Sequence, residues 1–464
     1  MAQGKLFMRV AVSGATGFVG RHLVEALLAQ SDQVIALSRS RPRESQEGLE
    51  WREYDLFSAH STIAALEGAQ VAIYLVHSML PSSTLFQGDF HDTDLLLADN
   101  FARAAKLQGV KRILYLGGLI PEGHISKHLE SRREVEDVLR ATGIPVTVLR
   151  AGMIVGPGGS SFGILLSLVK RLAGMILPAW TQRKTQAVFL DDVVSVLSNA
   201  IRGADFEGAT LDLVNGESLT YEGLLRQMAE VLGVKRWMIP VPIHSTGFSK
   251  LWVSLFSRSP YELVSPLIDS LLCDLPVATP SPVIAKHVKF TSFRQMALET
   301  LKRSLDSKPV AVGARPRVRT RKTVRSIQRL PAVAAHDSHW ISMEYMKWLP
   351  SAFAGLIAVD VNEQTGSVAF RIRGLPWPML VLQYIHGEFD EDRTKFHIVG
   401  GWLSATRDTG WLEFRQVEER RYTLAAIHEF VPRLPWPIYL ATQAPLHRWT
   451  MERFGSHLMR CAKS

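Results

Sequence analysis

Three glycines near the start of the chain are spaced in a way that suits phosphate binding. Residues 14–20 read Gly-Ala-Thr-Gly-Phe-Val-Gly, after an apolar run at 10–13 and before a helical pattern with Leu23 and Leu27. In such a strand–turn–helix, the first glycine permits a tight turn, the second lets the backbone approach a pyrophosphate, and the third lets helix and strand pack closely. The N–H groups that begin the helix then face the phosphates. We expect a dinucleotide to be contacted by Gly14, Thr16, Gly17, Phe18, Val19 and Gly20.

The end of the second apolar run indicates which dinucleotide is bound. Residues 33–37 are followed by Ser38 and Arg39, and no Asp or Glu occurs from 33 to 43. NAD-preferring sites place an acid near this point to bind the ribose 2′-hydroxyl, whereas a guanidinium suits a 2′-phosphate. The sequence therefore favours NADP, with NAD as the alternative. Asp55, followed by Leu56, is placed to accept a hydrogen bond from the adenine amino group.

Strand-like and helical segments then alternate regularly. Strands are predicted at 49–54, 69–76, 112–116 and 145–150, with helices at 89–108 and 126–141. This alternation predicts a doubly wound parallel α/β sheet, whose ligands lie beyond the carboxyl ends of the strands. His77 and Ser78 follow the fourth strand and Gly117 ends the fifth, so all three are expected beside the nicotinamide half of the cofactor.

The last third of the chain differs in composition. Residues 306–337 carry eight basic against two acidic residues, together with three prolines, and are predicted to be a basic linker. Residues 338–464 hold seven of the eleven tryptophans. Stretches with period-two character at 366–373, 381–389, 395–404, 410–418 and 421–429 predict an antiparallel sheet, followed by a helix at 444–459.

Composition excludes several classes of protein. Apolar residues make up 47% and charged residues 21% of the chain, and no apolar run approaches the length of a membrane span. The two cysteines lie far apart and offer no metal framework, so we expect a cytoplasmic protein without a metal site. The net charge of +9 is concentrated in the linker. Because aromatic residues do not alternate with those charges, we expect no nucleic-acid partner.

These segments together resemble the atypical short-chain dehydrogenase/reductases of the extended, epimerase-like type. The resemblance rests on GATGFVG at 14–20, LRAGMIVGPG at 149–158 and VFLDDVV at 188–194. LDLVNGESLTYEGLLRQMAEVLG at 211–233 is similar to the helical part of that family's substrate-binding region. Within this family, the chain resembles most closely a bacterial subgroup that has a C-terminal domain of unknown function. The similar segments are YLVHSM at 74–79, YLGGL at 115–119 and HLESRREVEDVLR at 128–140.

The resemblance also shows where this chain departs from the family. Working members use a Ser or Thr, then a Tyr and a Lys four residues apart on a helix, where the lysine lowers the phenol pKa. Here the corresponding helix positions are His128 and Arg132, and Gly117 and Gly118 stand near the expected serine. The resemblance therefore implies that His128 is the candidate acid/base group and that Arg132 contacts the nicotinamide ribose. The alternative is that His128 has no catalytic role and is only a polar helix residue beside the pocket.

The C-terminal region resembles a second known fold. GWLEF at 410–414 and YLATQAPLHRWTMERFG at 439–455 are similar to the subgroup's terminal domain and to the helix-grip fold of START-like ligand binders. We therefore divide the chain into an NAD(P)-binding unit at 1–305, the linker at 306–337 and a helix-grip-like domain at 338–464. The first unit comprises a Rossmann core at 8–200 and a mostly helical substrate-side region at 150–305. The tryptophans of the last domain either fill its core or line an apolar cavity.

Two functions remain open at this point. The first is an NADP-dependent oxidoreductase or epimerase-like enzyme that acts on a small apolar carbonyl or quinone-like substrate. The second is a non-catalytic NADP(H)-binding sensor or scaffold, which the changed triad positions favour and the retained substrate-side region disfavours. Extended reductases often pair through two helices, so the resemblance is also compatible with a homodimer.

Overall fold

The computed structural model describes residues 7–40, 46–78, 85–123, 125–276, 279–288, 290–306, 323–331, 333, 335–385, 392–405, 409–418 and 420–462. The chain divides into two compact units. The first unit combines Met1–Leu80 with Leu97–Ala314, and the second combines Pro81–Leu96 with Arg315–Ser464.

The strands, in chain order, are β1 (Arg9–Ser13), β2 (Gln33–Ser38), β3 (Leu49–Glu53), β4 (Val71–Tyr74), β5 (Leu85–Gln87), β6 (Arg112–Gly118), β7 (Val146–Ala151), β8 (Met153–Val155), β9 (Gly174–Leu177), β10 (Lys184–Thr185), β11 (Ala187–Phe189), β12 (Thr210–Leu213), β13 (Leu219–Thr220), β14 (Trp237–Pro240), β15 (Val324–Leu330), β16 (Ile357–Asn362), β17 (Ser367–Ile372), β18 (Pro378–Tyr384), β19 (Arg393–Gly400), β20 (Gly410–Val417) and β21 (Tyr422–Phe430).

The α-helices are α1 (Phe18–Ala29), α2 (Ala59–Ala65), α3 (Phe90–Leu107), α4 (Lys127–Arg140), α5 (Ser160–Arg171), α6 (Leu190–Ala200), α7 (Tyr221–Val231), α8 (Thr246–Ser257), α9 (Tyr261–Ser270), α10 (Pro282–Ala285), α11 (Phe293–Asp306), α12 (Ser338–Ala352), α13 (Trp436–Ala441) and α14 (Gln443–Cys461). Two short 3₁₀ helices occupy Ala179–Gln182 and Ala204–Phe206.

A seven-stranded parallel sheet forms the centre of the first unit and confirms the predicted α/β fold. Its order is β3-β2-β1-β4-β6-β7-β12, and every neighbouring pair is parallel. Val10 and Val12 are fully buried in β1, because helices such as α1 and α6 bury their apolar faces against the sheet. Since the strands are parallel, the carboxyl ends of β1, β2, β4, β6 and β7 lie along one edge, where the predicted site residues converge.

The substrate-side region has a core of its own. Side chains from α5, α7, α8, α9 and α11 pack together around Phe162, Leu224 and Phe293. The segment 211–233 resembles the helical part of the family's substrate-binding region, but its first residues belong to β12, which pairs with β7 through Leu211 and Leu149. Only α7 is helical there, because the apolar alternation that precedes it adds a last strand to the sheet.

The second unit is built on a mostly antiparallel sheet. The order β16-β17-β18-β19-β20-β21-β15-β5 is antiparallel except for the pair β15–β5. Side chains of α12 and α14 cover one face of this sheet with a core that includes Trp348, Phe414 and Phe454. The five predicted strands and the C-terminal helix are therefore present.

The boundary of the second unit needs a correction. The sequence placed residues 306–337 in a linker, yet β15 lies inside that range and pairs with β21. Arg325 and Arg329, counted as linker charges, are ion-paired with Glu429 and Asp92. Most of the other linker charges lie outside the described residues. The second unit thus begins before residue 338, and it also takes in β5, which no sequence signal indicated.

Among the described residues, none of the helices combines the length and the apolar character that crossing a membrane requires.

Candidate functional site

The glycine-rich turn is shaped by contacts that only glycine allows. Gly14 has a φ of +82°, and the N–H of Gly17 donates to the carbonyl of Gly14 at 2.9 Å. A Cβ on Gly20 would lie 2.2 Å from that carbonyl oxygen, so any side chain there would push the helix away from the turn. Helix α1 begins at Phe18 without a side-chain cap. Its first N–H groups and positive dipole end therefore remain available to an anion.

A cleft of about 280 Å³ opens beside this turn, at the carboxyl ends of the central strands. It is lined by Gly14, Gly17, Phe18, Val19, Gly20, Leu75, His77, Leu116, Gly117, Gly118, His128, Arg132, Ala151, Gly152 and Ile154. Most residues expected at the phosphate and nicotinamide positions are in this lining. Thr16 and Ser78 are not, and neither are the four residues expected at the adenosine end.

Helix α4 carries the two candidate catalytic side chains. The Ser126 hydroxyl caps this helix by accepting from the N–H of Leu129 at 3.3 Å. His128 and Arg132 lie one turn apart, so both reach the cleft from the same helix face. The ring of His77 approaches that of His128 from the end of β4, with 5.0 Å between ring centroids. Two imidazoles thus line the cleft next to each other.

Arg132 is held at one end of its guanidinium and lacks an acceptor at the other. Its Nη2 donates to the carbonyl of Leu116 at 3.0 Å, and the guanidinium carbon lies 5.4 Å from the centre of the Tyr115 ring. Among the described residues, the buried Nη1 has no hydrogen-bond partner. A buried donor without an acceptor is costly, by about 1–3 kcal/mol. This side chain is therefore oriented by the fold and has hydrogen-bonding capacity left for a ligand.

At the adenosine end, Asp55 follows β3 and is partly buried. Its Oδ1 accepts from the N–H of Phe57 at 3.1 Å, so this oxygen closes a local turn. Ser38 is buried at the end of β2, and Arg39 is exposed after it. Leu56 is buried, and its carbonyl accepts from the Asn100 amide at 2.9 Å.

Beneath the cleft lies an ion pair that the sequence analysis did not single out. Arg150 donates to both carboxylate oxygens of Glu136, at 2.9 and 2.6 Å, and Glu136 is only 3% exposed. A Cβ on Gly117 would lie 3.1 Å from the same carboxylate. The pair ties α4 to β7 and so fixes the helix that presents His128. Arg150 belongs to the motif at 149–158, but only the structure identifies its partner, which lies fourteen residues earlier.

Asp192 is a second ionisable group to which the sequence assigned no role. Burial, and then the neighbouring charge of Asp191, raise its pKa to about 7. Its Oδ2 is buried without a partner among the described residues. The doubled aspartate in VFLDDVV was visible as a motif, but the burial of Asp192, whose neighbour Asp191 binds Arg303, depends on packing.

The structure also brings metal-ligand types of side chain together away from the cleft. Within the part of the chain that the structure describes, one cluster brings three such side chains together, namely Glu344, His457 and Cys461 in the second unit. The His457 Nε2 lies 2.7 Å from a Glu344 oxygen, which is a hydrogen bond between α14 and α12.

Comparison with known proteins identifies the cofactor class. Residues 14–166 match the sequence model of a family described as NAD(P)H-binding. The matched range contains the glycine-rich turn, the cleft lining and α4. This part of the chain is an NAD(P)H-binding domain of the Rossmann type.

Curated relatives include a reductase and an epimerase. The chain is 29% identical over 241 residues to ceramide reductase of Caulobacter vibrioides, which covers 50% of this chain and 73% of that protein. It is 21% identical over 296 residues to UDP-glucose 4-epimerase of Vibrio cholerae, covering 58% of this chain and 88% of the epimerase. The domain is thus similar to epimerase-like and reductase-like oxidoreductases.

Solved structures show the same fold. The triphenylmethane reductase of Citrobacter sp. in complex with NADP(H) superposes with a TM-score of 0.51 at 21% identity. The match covers 63% of this chain and all of the reductase chain. At this identity the likeness is one of fold.

Proposed function

We propose that this protein is an NADP-dependent oxidoreductase that reduces a small apolar carbonyl or quinone-like substrate without the Ser-Tyr-Lys triad of the short-chain dehydrogenase/reductase family that it resembles. The observation that carries the proposal is the unsatisfied Nη1 of Arg132 beside two imidazoles in the cleft. Such a donor can stabilise negative charge as it develops on an oxygen atom. The simplest source of its missing acceptor is an oxygen of the bound cofactor or substrate.

Specific residues are assigned to hold the cofactor. The N–H groups at the start of α1 would bind the pyrophosphate, with Gly17 letting the backbone approach it. Arg39 would meet the 2′-phosphate and so favour NADP over NAD. His77 and Gly117 would face the nicotinamide half. When bound, the cofactor supplies a hydride, and the protein needs to contribute only orientation and a proton.

The proton is assigned to His128. A substrate oxygen that gains electrons must also gain a proton, and an imidazolium on the cleft wall can donate it near neutral pH. Arg132 would hold that oxygen and orient it toward His128. Because an arginine keeps its charge at every physiological pH, it cannot replace the imidazole as the proton donor.

A survey of NADPH oxidation with small quinones and apolar ketones tests this assignment. His128→Ala is expected to lower turnover at least about tenfold, since general acid catalysis contributes roughly 10²–10⁴-fold. The matched control is His60→Ala, because His60 is an exposed histidine of α2 in the same unit. Equal rates in the two variants would remove the proton-transfer role from His128.

Cofactor preference has a separate test. Arg39→Asp is expected to weaken NADP binding by about tenfold or more while sparing NAD, because a guanidinium–phosphate contact is replaced by repulsion. Lys111→Asp is the control. This exposed lysine precedes β6 and therefore lies at the amino ends of the parallel strands, opposite to the carboxyl ends where Arg39 lies. Titration calorimetry that gave equal NADP and NAD affinities in the unmodified protein would overturn the preference.

The replacement of Tyr and Lys by His128 and Arg132 favours a second candidate, a non-catalytic NADP(H) sensor or scaffold. Under this reading the protein binds NADPH tightly, and no substrate of the survey accelerates its oxidation. Both candidate functions therefore predict NADPH binding, but only the enzyme predicts NADPH oxidation in the presence of a substrate.

We also propose that the second unit has the helix-grip fold and that the protein resides in the cytoplasm. Support for the fold comes from α12 and α14 on one face of an antiparallel sheet that begins with β15. The two described cysteines, Cys273 and Cys461, are free thiols, in keeping with a reducing compartment.

A further inference from the structure

A two-stranded sheet in the substrate-side region exposes apolar side chains to solvent. Strands β9 and β14 pair in parallel, with Trp237 opposite Gly174 and Ile239 opposite Ile176. The alternate residues Met175 and Leu177 are buried in the core, as the period of a strand requires. The outward residues are the anomaly, because Trp237 is 78% exposed and the two isoleucines are 57% and 46% exposed.

Helix α8 extends this apolar surface. Leu251 and Leu255 lie one turn apart and are both well exposed, and Phe256 follows them. The end of α5 joins this helix to the sheet. Arg171 at that end donates to the carbonyl of Phe256 at 2.9 Å, and Arg236, next to Trp237, donates to the carbonyl of Val169 at 2.7 Å. We call the surface formed by β9, β14, α8 and the end of α5 the apolar–basic face.

The charge of this face has one sign. Neither 138–190 nor 231–261 contains a single Asp or Glu, and these ranges supply all the elements of the face. Lys170, Lys235 and Arg258 are exposed there. Among the described residues none of these three has a carboxylate partner, whereas Arg171 and Arg236 bind only backbone carbonyls. The face therefore combines exposed apolar side chains with uncompensated positive charge.

We propose that the apolar–basic face docks on the surface of an anionic phospholipid bilayer. Tryptophan prefers the boundary between headgroups and acyl chains, and isoleucine and leucine beside it gain by burial at the same depth. Lysine and arginine at the rim meet the acidic headgroups. The binding is interfacial and does not require a spanning segment. A second copy of this face is a poor partner, because two surfaces lacking carboxylates repel one another.

Flotation of the full-length protein with vesicles tests the docking. Vesicles of phosphatidylcholine mixed with phosphatidylglycerol are expected to carry at least about tenfold more protein than vesicles of phosphatidylcholine alone, and high salt should remove the difference. The pair Lys235→Gln and Arg258→Gln is expected to lower the partition coefficient by about 25-fold, since each cation contributes about fivefold.

An apolar variant and a matched control complete the experiment. Trp237→Ser with Ile239→Ser is expected to reduce partitioning at least about tenfold. The control is Trp377→Ser, because Trp377 is 69% exposed and belongs to the second unit. NADPH binding by each variant reports that the first unit is folded, and it keeps the result separate from any test of turnover.

Three outcomes would overturn the proposal. Equal binding to vesicles with and without phosphatidylglycerol would show that the basic residues of the face do not contribute to docking. An equal loss of vesicle partitioning in Trp377→Ser would show that the effect is not specific to the apolar–basic face. A dimer that dissociates in the Trp237 and Ile239 variant, with no vesicle binding by the unmodified protein, would assign the face to a second copy of the chain.

Discussion

Two partly buried arginines, one in each unit, have contrasting surroundings. In the first unit, Arg132 donates from Nη2 to a backbone carbonyl and keeps a buried Nη1 without an acceptor among the described residues. In the second unit, Arg393 directs Nε and an η nitrogen onto one oxygen of Glu413, and its side chain is only 8% exposed. The first arginine lines a cleft, whereas the second contributes to a charged cluster within a sheet.

The cluster around Glu413 shows what a structural charge requires. Burial acts to raise the pKa of Glu413, but the guanidinium groups of Arg393 and Arg415 outweigh it and hold that pKa well below its usual range. Burial lowers the pKa of His428, which lies 3.3 Å from the same carboxylate and stacks on Trp411. The comparison teaches that an arginine bound by a carboxylate within a sheet is committed to the fold, whereas an arginine with a spare donor in a cleft is a candidate for ligand binding.

The largest expected effect comes from breaking the second cluster. Glu413→Gln leaves Arg393 and Arg415 without their anion and should lower the free energy of unfolding by about 3–5 kcal/mol. Because the folded pKa of Glu413 is depressed, its contribution is present above the unfolded value near 4.5 and is lost as pH falls below it. Urea unfolding followed by tryptophan fluorescence measures both effects.

The control for this prediction is Glu452→Gln, since Glu452 is exposed on α14 in the same unit. A loss no larger than that of the control would mean that the cluster is not needed for stability, and the comparison would fail.

In contrast to Glu413→Gln, Arg132→Met should have a small effect on stability and a large effect on activity. It retains an apolar stem and removes both the hydrogen bond to the Leu116 carbonyl and the buried donor that has no partner among the described residues, so these effects offset each other and the free energy of unfolding should fall by about 1 kcal/mol or less. The catalytic efficiency with NADPH should fall by about 100-fold, as expected when a donor to a developing oxyanion is lost.

Arg133→Met is the matched control, because Arg133 is the exposed neighbour on α4. Arg132→Lys should restore part of the activity. A variant at Arg132 that unfolds readily but keeps its turnover would make this arginine a structural residue like Arg393.

Asp192 extends the comparison to pH. Its pKa of about 7 lies above the unfolded value, so the folded state holds a proton that the unfolded state releases. Stability from this group is present below the unfolded pKa and is lost as pH rises through about 7. Asp192→Asn should therefore raise the free energy of unfolding at pH 8 by about 1–2 kcal/mol and flatten its dependence between pH 4 and 7.

Asp205→Asn serves as the control, since Asp205 is an exposed aspartate of the same unit. An unchanged pH dependence in Asp192→Asn would assign the titration to another group.

The smallest effect concerns a satisfied polar pair in the first unit. The Tyr54 and Ser13 hydroxyls lie 2.5 Å apart, and burial raises the pKa of Tyr54 to about 12. Tyr54→Phe should lower the free energy of unfolding by about 1 kcal/mol, with cofactor affinity nearly unchanged. A double-mutant cycle with Ser13→Ala isolates the hydrogen bond, and a coupling energy near zero would contradict the pairing.

Local patterns predicted much of the fold, because they are also its physical causes. Apolar runs at β1, β2, β4, β6 and β7 became the parallel sheet, and the turn at Gly14 formed where the glycines required it. Period-two alternation found β17 to β21, since those strands have one face in the core. The spacing of His128 and Arg132 was enough to place both on one helix face.

What the sequence could not supply are contacts between distant segments. Pairing of β5 with β15 joins Leu85 to Val324 without any local signal in either segment. The basic residues around β15 suggested a solvated linker, and only the carboxylates of Asp92 and Glu429 explain Arg329 and Arg325 inside a sheet. The same holds for Arg132. Among the described residues, its Nη1 lacks an acceptor because the folded chain brings no oxygen atom within hydrogen-bonding distance, and the sequence alone does not show this.

The division of the second unit between Pro81–Leu96 and Arg315–Ser464 has a consequence for synthesis. When β5 leaves the ribosome, its pairing partner β15 has yet to be translated, and well over two hundred residues must follow first. The nascent chain therefore carries an unpaired strand edge through most of its elongation, which exposes it to association with other chains. Slow translation of the segment between the two should increase the demand for chaperones, whereas the glycine-rich turn and α1, which are local in sequence, can form early.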